Sequence, residues 1–118
     1  MKFLTGLFAA LGILFGVCAC DKTDALSADK IYFFTKDGCS HCEHAKQYIQ
    51  ETYPTVSVDY QNVANQQSVD LLLVCVDKFN LDKNKLGTPL ICMGDKYFLG
   101  WSEENKAGFD KAVQNFMK

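Results

Sequence analysis

Two cysteines two residues apart, Cys39 and Cys42, stand in the stretch TKDGCSHCEHAKQYI from Thr35 to Ile49. Thiols at this spacing can cycle between dithiol and disulfide, supply two ligands to a metal, or close a small structural bridge. Cys39 follows an apolar run and a Lys-Asp-Gly turn and opens a helical pattern. A sulfur there faces unpaired N–H groups and about half a positive charge, which favour the thiolate. Cysteines so placed ionise at roughly 3.5–7.5, against ~8.5 for a free thiol. Cys42 lies one helical turn on, close enough to form a disulfide. Cys39 is expected to be the exposed, attacking sulfur and Cys42 the more buried, resolving one.

The other reactive residues are few. His41 lies between the two cysteines, where an imidazolium or N–H donor would stabilise the Cys39 thiolate and make the disulfide a stronger oxidant. Glu43 acts in the opposite sense. His44, on the next turn, reads as a solvent-exposed residue. No metal site is expected: structural zinc wants four ligands, typically a second close pair, and Cys75 and Cys92 are not one. These two read best as buried free thiols, with a second disulfide, structural or relaying electrons, as the alternative. All twelve basic residues are lysines, so bidentate guanidinium recognition is absent, and the net charge of −2 gives no basic excess for nucleic acid.

The elements that must position these groups follow from periodicity. KIYFFT gives a buried strand over Ile31–Thr35, and Cys39 to Thr52 is helical, with Cys42, Ala45, Tyr48 and Ile49 on one face and Pro54 beyond its end. TVSVDYQNV alternates with period two. Val69, Leu72, Leu73, Val76 and Phe79 mark a second helix, with Cys75 beside that face, before a polar loop, NLDKNKLG. TPLICM and KYFLG form a hairpin about a Gly-Asp turn, and Ser102 caps a last helix with the stripe Phe109, Ala112, Val113, Phe116 and Met117. The order is β-α-β-α-β-β-α, an α/β fold whose first three elements make a parallel unit.

The N-terminus differs in kind. After Lys2 no charge occurs until Asp21, and the run between is mostly apolar, as in a bacterial export signal. VCAC, Val17–Cys20, resembles the bacterial lipoprotein box, which implies a signal peptide over 1–19, lipid on Cys20 and anchoring in the cell envelope on the extracytoplasmic side. Secretion without lipid and an uncleaved anchor are the alternatives. The polar stretch 20–29 reads as a tether, and 30–118 as one domain.

A CxxC opening the first helix of a βαβ unit, with Thr88-Pro89 before a later strand, resembles the thioredoxin superfamily. YFFTKDGCSHCEHAKQYI and GTPLICMGDKYFLGW are most similar to glutaredoxins. The resemblance implies a four-stranded mixed sheet flanked by three helices. It implies a cis Pro89 against the Cys39–Cys42 pair, and a Thr88 whose backbone meets an extended substrate. It also implies disulfide exchange with protein thiols, no cofactor beyond the disulfide itself, and a redox partner that regenerates the pair. His41 resembles the oxidising members, protein disulfide isomerases and periplasmic dithiol oxidases, and tilts the expected reaction toward oxidation or isomerisation. An exported reductase and a non-catalytic peptide- or metal-binding module are the alternatives. Glutathione use is doubtful, because Trp101 stands where glutaredoxins carry a second glycine. Trp101 reads either as an apolar substrate platform or as packing over the core. Lys36 reads as a partner for a substrate carboxylate or as a solvated turn residue.

Overall fold

The computed structural model describes residues 26–117; the expected signal segment and Cys20 lie outside them. The elements are β1 (Ile31–Thr35), α1 (Ser40–Thr52), β2 (Val58–Asn62), α2 (Gln66–Lys78), β3 (Leu90–Met93), β4 (Lys96–Leu99) and α3 (Glu103–Ala112). Short 3-10 turns cover Lys83–Lys85 and Val113–Phe116. The strand order is β2-β1-β3-β4, with β1 parallel to β2, antiparallel to β3, and β3 antiparallel to β4. This is the expected thioredoxin-like arrangement of a four-stranded mixed sheet and three helices.

The first four positions of β1, Ile31 to Phe34, are apolar and buried because both sides of the strand are covered. Ile31 and Phe33 pair with Met93 and Ile91 and face α1 and α3, where Ala45, Ile49, Phe109 and Val113 complete one core. Tyr32 and Phe34 pair with Cys92 and Leu90 and face α2, where Cys75, Leu72 and Phe79 complete the other. A single alternation along β1 therefore feeds two cores.

The α1–α3 layer is fastened by polar contacts as well as packing. Tyr48 donates to both Asp110 carboxylate oxygens, at 2.8 and 3.0 Å, and Tyr53 donates to one at 2.6 Å. Lys106 Nζ lies 4.5 Å from the centre of the Tyr48 ring. Gly108 lets α3 settle on β4, since a Cβ there would come within 2.6 Å of the Phe98 ring.

Several expectations need correction. Ahead of the domain expected over 30–118, Leu26 packs on the α2-side core and the Ser27 N–H donates to Tyr32 Oη at 3.0 Å. On α2, Leu73 is exposed and Cys75 fully buried, so the inward face is rotated toward Cys75. At about 100° per residue, Leu73 points roughly 120° away from Phe79, which rests on the core. The last helix tightens to a 3-10 turn at Val113, leaving Met117 exposed rather than in the stripe. Cys75 and Cys92 are not free thiols but a disulfide joining α2 to β3, with Cα atoms 6.5 Å apart. Their pairing needs α2 to cross the sheet at the height of Cys92, a tertiary fact that no local pattern encodes. Among the described residues no helix is long and apolar enough to cross a membrane.

Candidate functional site

The site forms where β1 hands over to α1. Gly38, with φ +78°, takes the left-handed conformation that an L side chain rarely adopts, and turns the chain so that Cys39 becomes the N-cap of α1. Where a cap serine would place its oxygen, Cys39 places Sγ, which accepts the Cys42 N–H at 3.1 Å. Cys39 and Cys42 form a disulfide with Cα atoms 5.2 Å apart. Cys39 is 9% exposed and Cys42 1%, so Cys39 is the more accessible of the two, though far less open than the sequence implied.

The opposite wall is Thr88-Pro89. The bond between them is cis, as the resemblance implied, and Pro89 is fully buried. The Thr88 hydroxyl lies 3.4 Å from Cys39 Sγ and can donate to it, and the Thr88 carbonyl oxygen lies 3.6 Å away. In the oxidised pair the sulfur carries no hydrogen, so only the hydroxyl contact is a hydrogen bond. On reduction, a Cys39 thiol gains the carbonyl as acceptor. A Cys39 thiolate keeps the Cys42 N–H and the Thr88 hydroxyl as donors. The resemblance implied a role for the Thr88 backbone and none for its side chain, because a hydroxyl before a proline has no pattern of its own.

Behind this wall the Gly100 N–H donates to the Pro89 carbonyl at 2.7 Å. Asn105 Nδ2 holds the Leu99 and Gly100 carbonyls at 2.9 and 3.0 Å. Neither Gly100 nor Asn105 carries a pattern in the sequence that marks this support.

His41 and His44 are both exposed on α1, and Lys36 is exposed in the turn before Cys39. Trp101 is half-buried, with its ring 5.8 Å from that of Tyr48 and 6.1 Å from that of Phe109. It therefore has a packing role in the α1–α3 layer. Among the described residues, no three His, Cys, Asp or Glu side chains come together as a metal-holding group. A cleft of about 490 Å³ lies at the far end of the sheet, lined by Asp29, Met93, Lys96 and Phe116, away from Cys39.

A CxxC whose first sulfur caps a helix, set against a cis proline at the start of β3, accompanies the thioredoxin-like fold described above. No protein-family model and no curated protein matches the chain. Among solved structures it is similar to a mutant of a thioredoxin-like protein, at 16% identity over 75% of this chain and 100% of the other, with a TM-score of 0.49. It is also similar to a buckwheat glutaredoxin–glutathione complex, at 11% identity over 74% and 71%, with a TM-score of 0.46. Glutaredoxin 1 from Francisella tularensis, complexed with cacodylate, is similar at 20% identity over 73% and 96%, with a TM-score of 0.47. These are similarities of fold, and the chemistry of the site rests on its own residues.

Proposed function

We propose that the protein is an extracytoplasmic thiol-disulfide oxidoreductase that acts on protein thiols through Cys39 and Cys42, working toward oxidation or isomerisation. The observation that supports this best is the Cys39 sulfur at the N-cap of α1, held by the Cys42 N–H and faced by the Thr88 hydroxyl. Each contact stabilises negative charge on the sulfur that must leave or attack.

In the oxidising direction a substrate thiolate attacks Cys39 Sγ. An S–S bond forms between substrate and Cys39, and Cys42 departs as the thiolate. A second substrate thiolate then attacks the substrate sulfur of the mixed disulfide. Cys39 leaves, and the substrate has lost two electrons and two protons to the pair. Reduction is the same sequence in reverse, with Cys42 releasing Cys39 from the mixed disulfide. A separate redox partner restores the pair.

His41 supports the oxidising reading: it is exposed on the first turn of α1, between the two sulfurs in sequence. The pair's potential is expected nearer the −120 to −180 mV of strong oxidants than the roughly −270 mV of thioredoxin. Lys36 and Thr88 are the proposed contacts for substrate backbone or carboxylate, while Trp101, engaged in packing, shapes the nearby surface. Lipid on Cys20 would anchor the domain in the bacterial cell envelope, facing the periplasm or extracytoplasmic side.

Equilibration in glutathione buffers tests the direction, and a potential near that of thioredoxin would overturn it. Trapping tests the enzyme itself. Cys42→Ala should accumulate mixed disulfides that Cys39→Ser/Cys42→Ala does not, and a Cys42→Ala protein that captures nothing would leave a binding module. Membrane fractionation lost in Cys20→Ala tests the anchor.

A further inference from the structure

The second disulfide has no part in the exchange just described, yet it closes the segment that carries half of the site. Cys75 lies in the last turns of α2 and Cys92 on β3, 17 residues apart, and Thr88-Pro89 sit within the closed loop. Cys92 is three residues past Pro89 on a strand that is buried throughout. Both sulfurs are enclosed, at 0% and 1% exposure, among Tyr32, Phe34 and Leu90.

An electron relay does not fit this placement. Cys92 projects to the α2 side of the sheet with Tyr32, whereas Cys39 and Cys42 belong to the core on the opposite side. The sheet separates the two disulfides, and thiol exchange needs one sulfur to approach another directly.

The loop itself is lightly held. Its first part is tied to α2, where Leu81 N–H donates to the Val76 carbonyl at 2.9 Å. Its middle is a local turn, with Asp82 accepting from the Lys85 and Asn84 N–H groups. Leu86, Gly87 and Thr88 donate no backbone hydrogen bond to another described residue. The position of Thr88 against Cys39 is thus set through Pro89, whose carbonyl Gly100 holds, and through the elements at the two ends of the loop. Those elements, α2 and β3, are the ones that Cys75–Cys92 locks together.

We propose that the Cys75–Cys92 disulfide is a positioning element of the redox site. By fixing α2 to β3 it holds Thr88 within reach of the Cys39 sulfur, and so raises the reactivity of Cys39. The proposal rests on the redox reading of Cys39–Cys42, and its test has a readout that does not require turnover.

The test compares the wild type with Cys75→Val/Cys92→Ala, well below the unfolding midpoint of either, after reduction of Cys39–Cys42. The pH dependence of Cys39 alkylation is measured first, then the rate of exchange with a peptide disulfide. The variant is expected to need a higher pH for half-maximal alkylation and to exchange about tenfold or more slowly, as misplacing a group near a reacting atom does. A variant with a lower melting point but a wild-type alkylation profile would overturn the proposal, because a purely structural bridge gives that result. Should the variant not fold, a Gly-Gly insertion between Lys83 and Asn84 relaxes the loop with the disulfide intact. The same upward shift is expected, and an unchanged profile would overturn the proposal. A wild type with a low alkylation midpoint but no exchange activity would refute the proposed function alone.

Discussion

The two faces of the sheet are fastened by different means. On one face α1 and α3 are joined by phenol–carboxylate hydrogen bonds from Tyr48 and Tyr53 to Asp110, and by tilted aromatic rings. On the other, α2 is joined to β3 by a covalent bond between Cys75 and Cys92. The face with reversible fastening carries the disulfide at the mouth of the site. A disulfide that must open and close cannot also be the bond on which its layer depends, so that layer is secured by other contacts. The opposite disulfide is enclosed and free to serve as a permanent clamp. Connectivity expresses the same division: Cys39–Cys42 spans three positions and Cys75–Cys92 spans 17.

The sharpest way to break this contrast is to measure the two disulfides in one molecule. Treated with reductant under native conditions and then alkylated, the protein should label at Cys39 and Cys42 alone. Cys75 and Cys92 should label only after denaturation. Since their reduction awaits unfolding, the two rates should differ on the order of 10³-fold or more, the scale of the folding equilibrium of a small domain. Comparable rates, followed by mass spectrometry of the alkylated peptides, would abolish the distinction between a working and a clamping disulfide.

Stability should separate them next. In the loop-entropy account a closed loop of the Cys75–Cys92 length contributes about 3 kcal/mol and one of the Cys39–Cys42 length about 2 kcal/mol. Cys75→Val/Cys92→Ala should therefore lower the melting midpoint by about 12–24 °C. Reduction of Cys39–Cys42 should cost less than that entropy implies, because the reduced Cys39 keeps its Cys42 N–H and gains the Thr88 carbonyl as partner. Calorimetry of the two forms checks the order, and a larger loss on reducing Cys39–Cys42 would reverse it.

The difference between the faces also marks what the sequence disclosed. The α1 side was legible because its signals are local. The Lys-Asp-Gly turn, the CxxC at a helix start and Thr-Pro before a strand each occupy a few contiguous residues, and the structure draws them together at one place. The α2 side departs from its local pattern where it depends on tertiary placement. Cys75 and Cys92 look like small apolar residues in one dimension, and only the height at which α2 crosses β3 makes them partners. The Leu73 error has the same origin: a broad apolar stripe leaves the helix free to rotate, and contact with the sheet selects the Cys75 side. The docking of Leu26 on the far side of the tether boundary was hidden for a related reason, since a lone leucine in a polar stretch has no period.

A smaller effect tests the polar fastening of α1 to α3. The hydrogen bond to Asp110, followed by burial, raises the pKa of Tyr48 above its ordinary value of 10.0. Burial first, then the Asp110 hydrogen bond, raises that of Tyr53. The folded protein thus holds both phenolic protons more tightly than the unfolded chain does. The sign follows from linkage: the contribution is fully present below pH 10 and is lost as pH rises through the folded values. Melting midpoints should accordingly fall above pH 10, and the fall should be shallower in Tyr53→Phe, which removes one of the two protons from the balance while keeping the ring against Phe109. Lysines lose charge in the same range, so the informative quantity is the difference between wild type and variant. At neutral pH the variant gives up one hydrogen bond to a charged acceptor, about 1.5–3 kcal/mol. Parallel pH profiles for the two proteins would mean that the carboxylate does not hold these protons, and that aromatic packing alone fastens α1 to α3.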